Sequence, residues 1–380
     1  MDRHEIRDSR TLKIDTDSED AGTLLATIGR EVVAAGGFVH PGLTIHVRGS
    51  DMWASCDLAG GGDSLPSLVT IPAPLLIPVD RLRWDDPDSL HPTRGLEQIT
   101  GSQRRHLRLW IDLYTVCDKL SIIQDRLPAL ALRGCPELCA HLARGWPEWR
   151  ESRASLNPAG AFFQTRMFRY APERQKLERR VLTSLIDVLN HHPAGARFDA
   201  RVDGLSVKVR QPGGGARDEC CVRYGDADAL GMLVGYGYAD LQTRFLKSVA
   251  CEIQVDGFGT LRVRGPHWRG PRMDLPALDR TAEGMVISHV NLYADNAGRT
   301  SAILALLARA MQPKAAPAAI DRMTQAALLE LCSVNRTFYE RLRELAAGES
   351  ALREARTVSA MLVEVADHQL SLLDSIDGRR

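Results

Sequence analysis

Residues 182–195 read LTSLIDVLNHHPAG, and the architecture turns on what this stretch is. Leu182, Leu185, Ile186 and Leu189 recur at helical spacing, and Asn190, His191, His192 and Pro193 then end the run,. On these residues alone it is a helix end. Asn190 serves as a C-terminal cap, Pro193 as the breaker, and the histidines complement the helix dipole. The alternative makes Asn190 and His191 half of a site whose other half lies elsewhere in the chain.

Working outward, 380 residues exceed the size at which one hydrophobic core keeps growing, so two domains, or one with a large insertion, are expected,. Lys plus Arg (48) equals Asp plus Glu (48), so no net field draws the molecule to nucleic acid or anionic lipid,. The opening MDRHEIRDSRTLKIDTDSED lacks an apolar leader, and the longest apolar stretch, LVTIPAPLLIPV (68–79), carries three prolines,. A soluble, cytoplasmic chain without a membrane or nucleic-acid partner is the expectation. Eight cysteines form no paired framework: Cys135 and Cys139 lack a second ligand pair, and Cys220 and Cys221 leave a strand on opposite faces,. They read as reduced core thiols. His191 and His192, being neighbours, do not converge on one ion, and no metal is expected.

AGTLLATIGREVVAAGG puts Leu24, Leu25, Ile28, Val32 and Val33 on a helical face stopped by Gly36–Gly37,. LTIHVRG, SLVTIPAPLLIPV and the turn at Gly60–Gly62 read as short strands and turns,. From about 96 to 178 the pattern is helical, with Leu107, Trp110, Ile111, Tyr114, Cys117 and Leu120 at the amphipathic period,. Strands return in RFDARVDGLSVKVRQPGGGARDECCVRYG, with turns at Asp203–Gly204 and the Gly213–Gly215 run, and a further hairpin centres on Asp256–Gly257,. The C-terminal segments RTSAILALLARAM, IDRMTQAALLELCSVNRTFYERLREL and TVSAMLVEVADHQLSLLDSI are amphipathic helices, with MQPKAAPAA a break between them,. Val358, Met361, Leu362, Val365 and Leu372 line one side of the last.

Downstream of Asn190, residues 218–240 read DECCVRYGDADALGMLVGYGYAD. Together with IDVLNHHPAG this resembles the SET-domain methyltransferases, in the branch of the Rubisco large-subunit lysine methyltransferase and the actin histidine methyltransferase. That branch reads D-x-x-N-H-S, then across a hairpin E-x-x-x-x-Y-G, then a helix and Y-G-F. The resemblance extends to residues 38–82, which look like the family's N-terminal strands, to FFQTRMF (162–168), similar to the piece closing the inserted subdomain, and to the C-terminal helices.

The resemblance implies an α+β fold. A β-rich SET domain over 20–265, with a helical insertion at about 96–178, precedes an all-α, substrate-binding-like domain over 266–380. It implies S-adenosyl-L-methionine as cofactor and methyl transfer to nitrogen by in-line displacement, a reaction helped chiefly by alignment. Asn190, His191, Asp187, Arg166, Ser50 and Met52 carry over as cofactor contacts, Arg166 toward the methionyl carboxylate. Tyr224 carries over as the catalytic residue, also touching cofactor, and Tyr236 and Tyr238 as the acceptor-binding tyrosines. The implied acceptor is a protein or peptide lysine or histidine; a small-molecule amine N-methyltransferase and a non-catalytic SET-fold binding scaffold are the alternatives.

The chain departs from the pattern in three places. The glycine-rich turn has become Arg48-Gly49-Ser50-Asp51-Met52-Trp53, and Arg48 stands where relatives carry an acid, leaving Asp51 to substitute,. His192 replaces the serine of N-H-S. Asp228-Ala229-Leu230-Gly231 replaces S-N-x-E, removing an amide that ties down the following helix.

Overall fold

The computed structural model describes residues 4–6, 12–57, 66–147, 149, 157–171, 179–212, 218–266, 276–282, 284–311, 316–349 and 355–378. The expected turns at Gly60–Gly62 and Gly213–Gly215, and 312–315 of the Pro/Ala link, lie outside them. The chain forms two compact units, residues 1–124 with 157–225, and residues 125–156 with 226–380.

In the first unit, alternation builds the sheet nearest the N-terminus. Leu43, Ile45 and Val47 of the strand Leu43–Arg48 are buried, as are Met52, Ala54 and Cys56 of Asp51–Cys56,. These strands pair antiparallel from Leu43↔Cys56 to Arg48↔Asp51, and Gly49, at φ 55°, gives the two-residue link its left-handed backbone,. Lys13–Thr16 runs parallel to Leu43–Arg48, which demands a crossover, and the helix Glu19–Ala34 supplies it,. Ser18 Oγ caps that helix by accepting the Ala21 N–H at 3.2 Å,. Leu25, Ile28 and Val32 are buried as expected, but Val33 is 46% exposed. At about 100° per residue, position 33 has rotated past the face its neighbours share. Gly36 (φ 86°) and the Gly37 N–H on the Val32 carbonyl at 2.8 Å close the helix,.

A second antiparallel sheet orders Phe198–Arg201, Gly204–Lys208, Ser67–Pro72 and Phe38–Val39, and a third orders Ile77–Pro78, Arg179–Leu182 and Phe168–Tyr170. The helix Gly101–Val116 opens on a reciprocal cap between Thr100 and Gln103 and buries Leu107, Trp110, Ile111 and Tyr114,. The helical run is shorter than expected: after the helix Pro158–Gln164 the chain returns to strand at Phe168.

The helix expected over 182–189 does not form. Leu182 ends a strand, Leu185 takes φ 62° and ψ −41°, and only a single 3₁₀ turn follows at Ile186–Val188. Every residue from Val181 to Leu189 is buried. Its apolar residues recur at helical spacing, but Thr183, Ser184 and Asp187 between them are buried as well, so the spacing marks no exposed face and no helix,.

The second unit carries the sheet Cys251–Val255, Gly259–Val263, Gly284–Ile287 and Leu278–Arg280, and the pair Phe245–Lys247 with Asn291–Tyr293. The hairpin at Asp256–Gly257 forms as expected, with Gly257 at φ 74°. The three strands between Leu278 and Tyr293 were not anticipated. From Ala297 the chain is helical: Ala297–Met311, Pro317–Glu349 and Arg356–Ile376. The last buries Val358, Leu362, Val365 and Leu372, while Met361 is half-buried. Ile253, Val255, Phe258, Leu261 and Val263 share one core with Leu331, Leu342 and Leu362, which is why the compact units part at 225/226 and not at 265/266,. Among the described residues no helix is long and apolar enough to cross a membrane. The eight cysteines are free thiols.

Candidate active site

The 3₁₀ turn Ile186–Val188 delivers Leu189, Asn190 and His191 to the side of residues 219–224. Asn190 accepts the Val222 N–H on its backbone carbonyl at 2.9 Å, and His191 Nδ1 accepts the Tyr224 N–H at 2.9 Å. The Tyr224 hydroxyl donates to the Leu189 carbonyl at 2.9 Å, and the His191 and Tyr224 rings lie 5.3 Å apart. Two stretches more than thirty positions apart in the chain are thereby joined by three hydrogen bonds. Because His191 Nδ1 is an acceptor, the neutral ring carries its proton on Nε2.

Asn190 Nδ2 donates to the Met52 carbonyl at 3.2 Å and to Glu219 Oε1 at 2.6 Å, which brings the strand Asp51–Cys56 into the group. The Cys220 N–H on the Ala54 carbonyl at 2.7 Å continues that edge. Ser50 stands at the hairpin tip, two residues before Met52, and is half-buried. Below the tip, Gly49 N–H donates to the Asp17 carboxylate at 3.1 Å, and Arg48 pairs with Asp15 at 2.6 Å. Asp15 and Asp17 are therefore the acids that hold this turn, and Asp51 is exposed. Arg48 and His46 keep the Asp15 carboxyl below its ordinary range,.

Asp187 is turned inward. Its Oδ2 accepts the Trp110 indole N–H and the Tyr114 hydroxyl, each at 2.6 Å. Burial pushes the carboxyl up to about 6 against the pull of those donors and of the Arg166 charge,. Tyr114 is held well above its ordinary value by burial and by the Asp187 charge. Arg166, just past the helix Pro158–Gln164, lays its guanidinium over the Tyr114 ring at 4.8 Å and the Phe162 ring at 4.7 Å,. Asp187 Oδ1 and Arg166 Nε are buried without a hydrogen-bond partner among the described residues. Burial pushes the Cys220 and Cys221 thiols up to about 12, which favours the protonated form of both,.

Ser50, Met52, Arg166, Asp187, Asn190, His191 and Tyr224 all belong to the first unit. Tyr236 and Tyr238 belong to the second. Tyr236 ends the helix Ala229–Tyr236 before Gly237 (φ 75°), and burial raises its phenol. That helix is tied down by Asp228, whose Oδ1 accepts the Gly231 N–H and whose Oδ2 accepts the Lys247 N–H, both at 2.8 Å,. Sequence reasoning missed Trp110 and Tyr114 as partners of Asp187. Their i, i+4 spacing put them on one face, but nothing local named what that face meets.

Asp187 yields a pH prediction. Its folded-state value lies above the ordinary 3.8, so its contribution to stability is complete below about pH 4 and is lost as pH rises through about 6,. Relative to Asp187→Asn, the parent is expected to lose on the order of 3 kcal/mol between pH 4 and pH 7. Chemical denaturation across that range checks it, and parallel curves for the two proteins would refute the assignment.

No protein-family model matches the chain, and neither does any curated protein. Fourteen solved chains resemble it, distantly, two of them as follows. The SET domain of LSMT bound to lysine and AdoHcy is 12% identical, with 94% of this chain and 91% of that one covered at a TM-score of 0.39. Rubisco LSMT bound to sinefungin and monomethyllysine is 11% identical, with 95% and 91% covered at a TM-score of 0.40.

Proposed function

We propose that the chain transfers a methyl group from S-adenosyl-L-methionine to a nitrogen, with a protein lysine as acceptor and histidine next. The observation that carries the proposal is the junction of Asn190–His191 with Tyr224, held by the hydrogen bonds at the Val222 and Tyr224 amides and the Tyr224 hydroxyl. These are the residue types, in chain order, that the family resemblance singles out.

The residues suit the cofactor. A guanidinium resting on the Tyr114 and Phe162 rings, with a buried Nε lacking a partner among the described residues, is a fixed donor for a carboxylate,. Asn190 spends its amide hydrogens on Met52 and Glu219, which leaves its amide oxygen to receive a donor,. When bound, the cofactor supplies an activated methyl carbon.

The protein's share of the work is positioning. Tyr224 commits its hydroxyl proton to the Leu189 carbonyl, so the phenol oxygen presents lone pairs, which suit it to accept an N–H from the incoming nitrogen,. His191 fixes the Tyr224 backbone and acts as no base in this scheme. Holding the nucleophile in line with the methyl carbon is worth several kcal/mol. The acceptor role implied for Tyr236 and Tyr238, and a cytoplasmic setting, are parts of the same proposal.

Incubation with methyl-labelled cofactor and a lysate of the protein's own source tests it. Label in a discrete protein band, released as methyl-lysine on hydrolysis, is expected. Label confined to small molecules would overturn the protein acceptor.

A further inference from the structure

Behind the site runs a buried chain of polar groups that the functional reading does not use. His106, on the helix Gly101–Val116, is fully buried. Its Nδ1 meets Glu31 Oε2 at 2.9 Å, and its Nε2 meets Ser184 Oγ at 2.7 Å. Glu31 sits on the helix Glu19–Ala34, is largely buried, and also pairs with Arg105. Burial holds the His106 imidazole below its ordinary value and so favours the neutral ring; with Nδ1 donating to the Glu31 carboxylate, Nε2 is left as the acceptor and the Ser184 hydroxyl donates to it,.

Ser184 stands immediately before the strained point of the segment. Leu185 takes φ 62°, a region costly for a residue with a branched side chain, and the Ile186 N–H closes the turn on the Ser184 carbonyl at 2.6 Å,. Such a conformation persists only where its surroundings impose it. The 3₁₀ turn that follows carries Asp187, and the chain then delivers the Leu189 carbonyl to Tyr224 and the Asn190 carbonyl to Val222.

Resting on the methyl-transfer reading of the site, we propose that Glu31, His106 and Ser184 form a positioning relay. It holds the Leu185 turn in place and so sets Asn190 and Tyr224 for the cofactor. His106 touches no reacting atom; it acts through Ser184. An apolar residue at 106 would fill the space but leave the buried Ser184 hydroxyl without its acceptor.

The test compares Ser184→Ala with Glu31→Gln, whose amide oxygen still accepts the Nδ1 hydrogen. Amide hydrogen exchange at Val222 and Tyr224 is read against Ile45 and Val47 in the first sheet, and S-adenosylhomocysteine affinity is read by calorimetry. Ser184→Ala is expected to speed exchange at Val222 and Tyr224 selectively and to weaken binding about tenfold, while Glu31→Gln stays within about twofold of the parent. Should Ser184→Ala fail to fold, Glu31→Ala breaks the relay at its other end and carries the same expectation. Unchanged exchange at Val222 and Tyr224, or equal acceleration at Ile45 and Val47, overturns the relay. A parent that binds no S-adenosylhomocysteine fails the methyl-transfer reading instead, and the exchange pattern still decides the relay.

Discussion

Replacing Tyr224 with phenylalanine is expected to lower methyl transfer by about 100-fold while changing the affinity for S-adenosylhomocysteine by less than about threefold. The ring stays, so its packing against His191 at 5.3 Å survives, and the backbone N–H still reaches His191 Nδ1. What goes is one oxygen, which donates to the Leu189 carbonyl and presents lone pairs on its other side. Loss of that hydrogen bond alone costs about 1 kcal/mol of stability, a melting shift of a few degrees. A fall in turnover much larger than the fall in stability separates orientation of the acceptor from mere packing. Turnover within about twofold of the parent would remove Tyr224 from the reaction.

Trp110→Ala is the most damaging single change expected in the first unit. Trp110 is 1% exposed and packs with Tyr114 at 4.5 Å and with Phe162 and Phe163 at 5.6 Å each. Emptying that space costs about 3–5 kcal/mol, and Asp187 loses one of its two donors,. The transition of this unit is expected about 10 °C lower. Trp110→Phe divides the effect: it keeps most of the ring volume and removes the indole N–H, so its loss reports the bond to Asp187. Calorimetric scans of the three proteins give both terms. A Trp110→Ala protein melting within about 2 °C of the parent would contradict the packing described here.

Much of the fold is written locally. The alternation of Leu43, Ile45 and Val47 against Met52, Ala54 and Cys56 makes a hairpin with one buried face, and the long C-terminal helices carry their periodicity openly,. Residues 182–189 misled because Thr183, Ser184 and Asp187, which read as the polar face of a helix, are buried along with the apolar residues between them. The strands between Leu278 and Tyr293 are each three or four residues long, too short for alternation to register. At the site, Asn190, His191 and Tyr224 were legible as a motif in chain order. Asp187 was legible only as an acid: its partners Trp110 and Tyr114 are more than seventy positions away, and only tertiary packing joins them. The relay through His106 was silent for the same reason.

The most direct measurement is a calorimetric titration of the whole chain with S-adenosylhomocysteine, run alongside Asn190→Ala. The account predicts saturable heat at one site in the parent and about tenfold or greater weakening in the variant. No saturable heat at millimolar ligand, or an Asn190→Ala protein that binds as tightly as the parent, would contradict it.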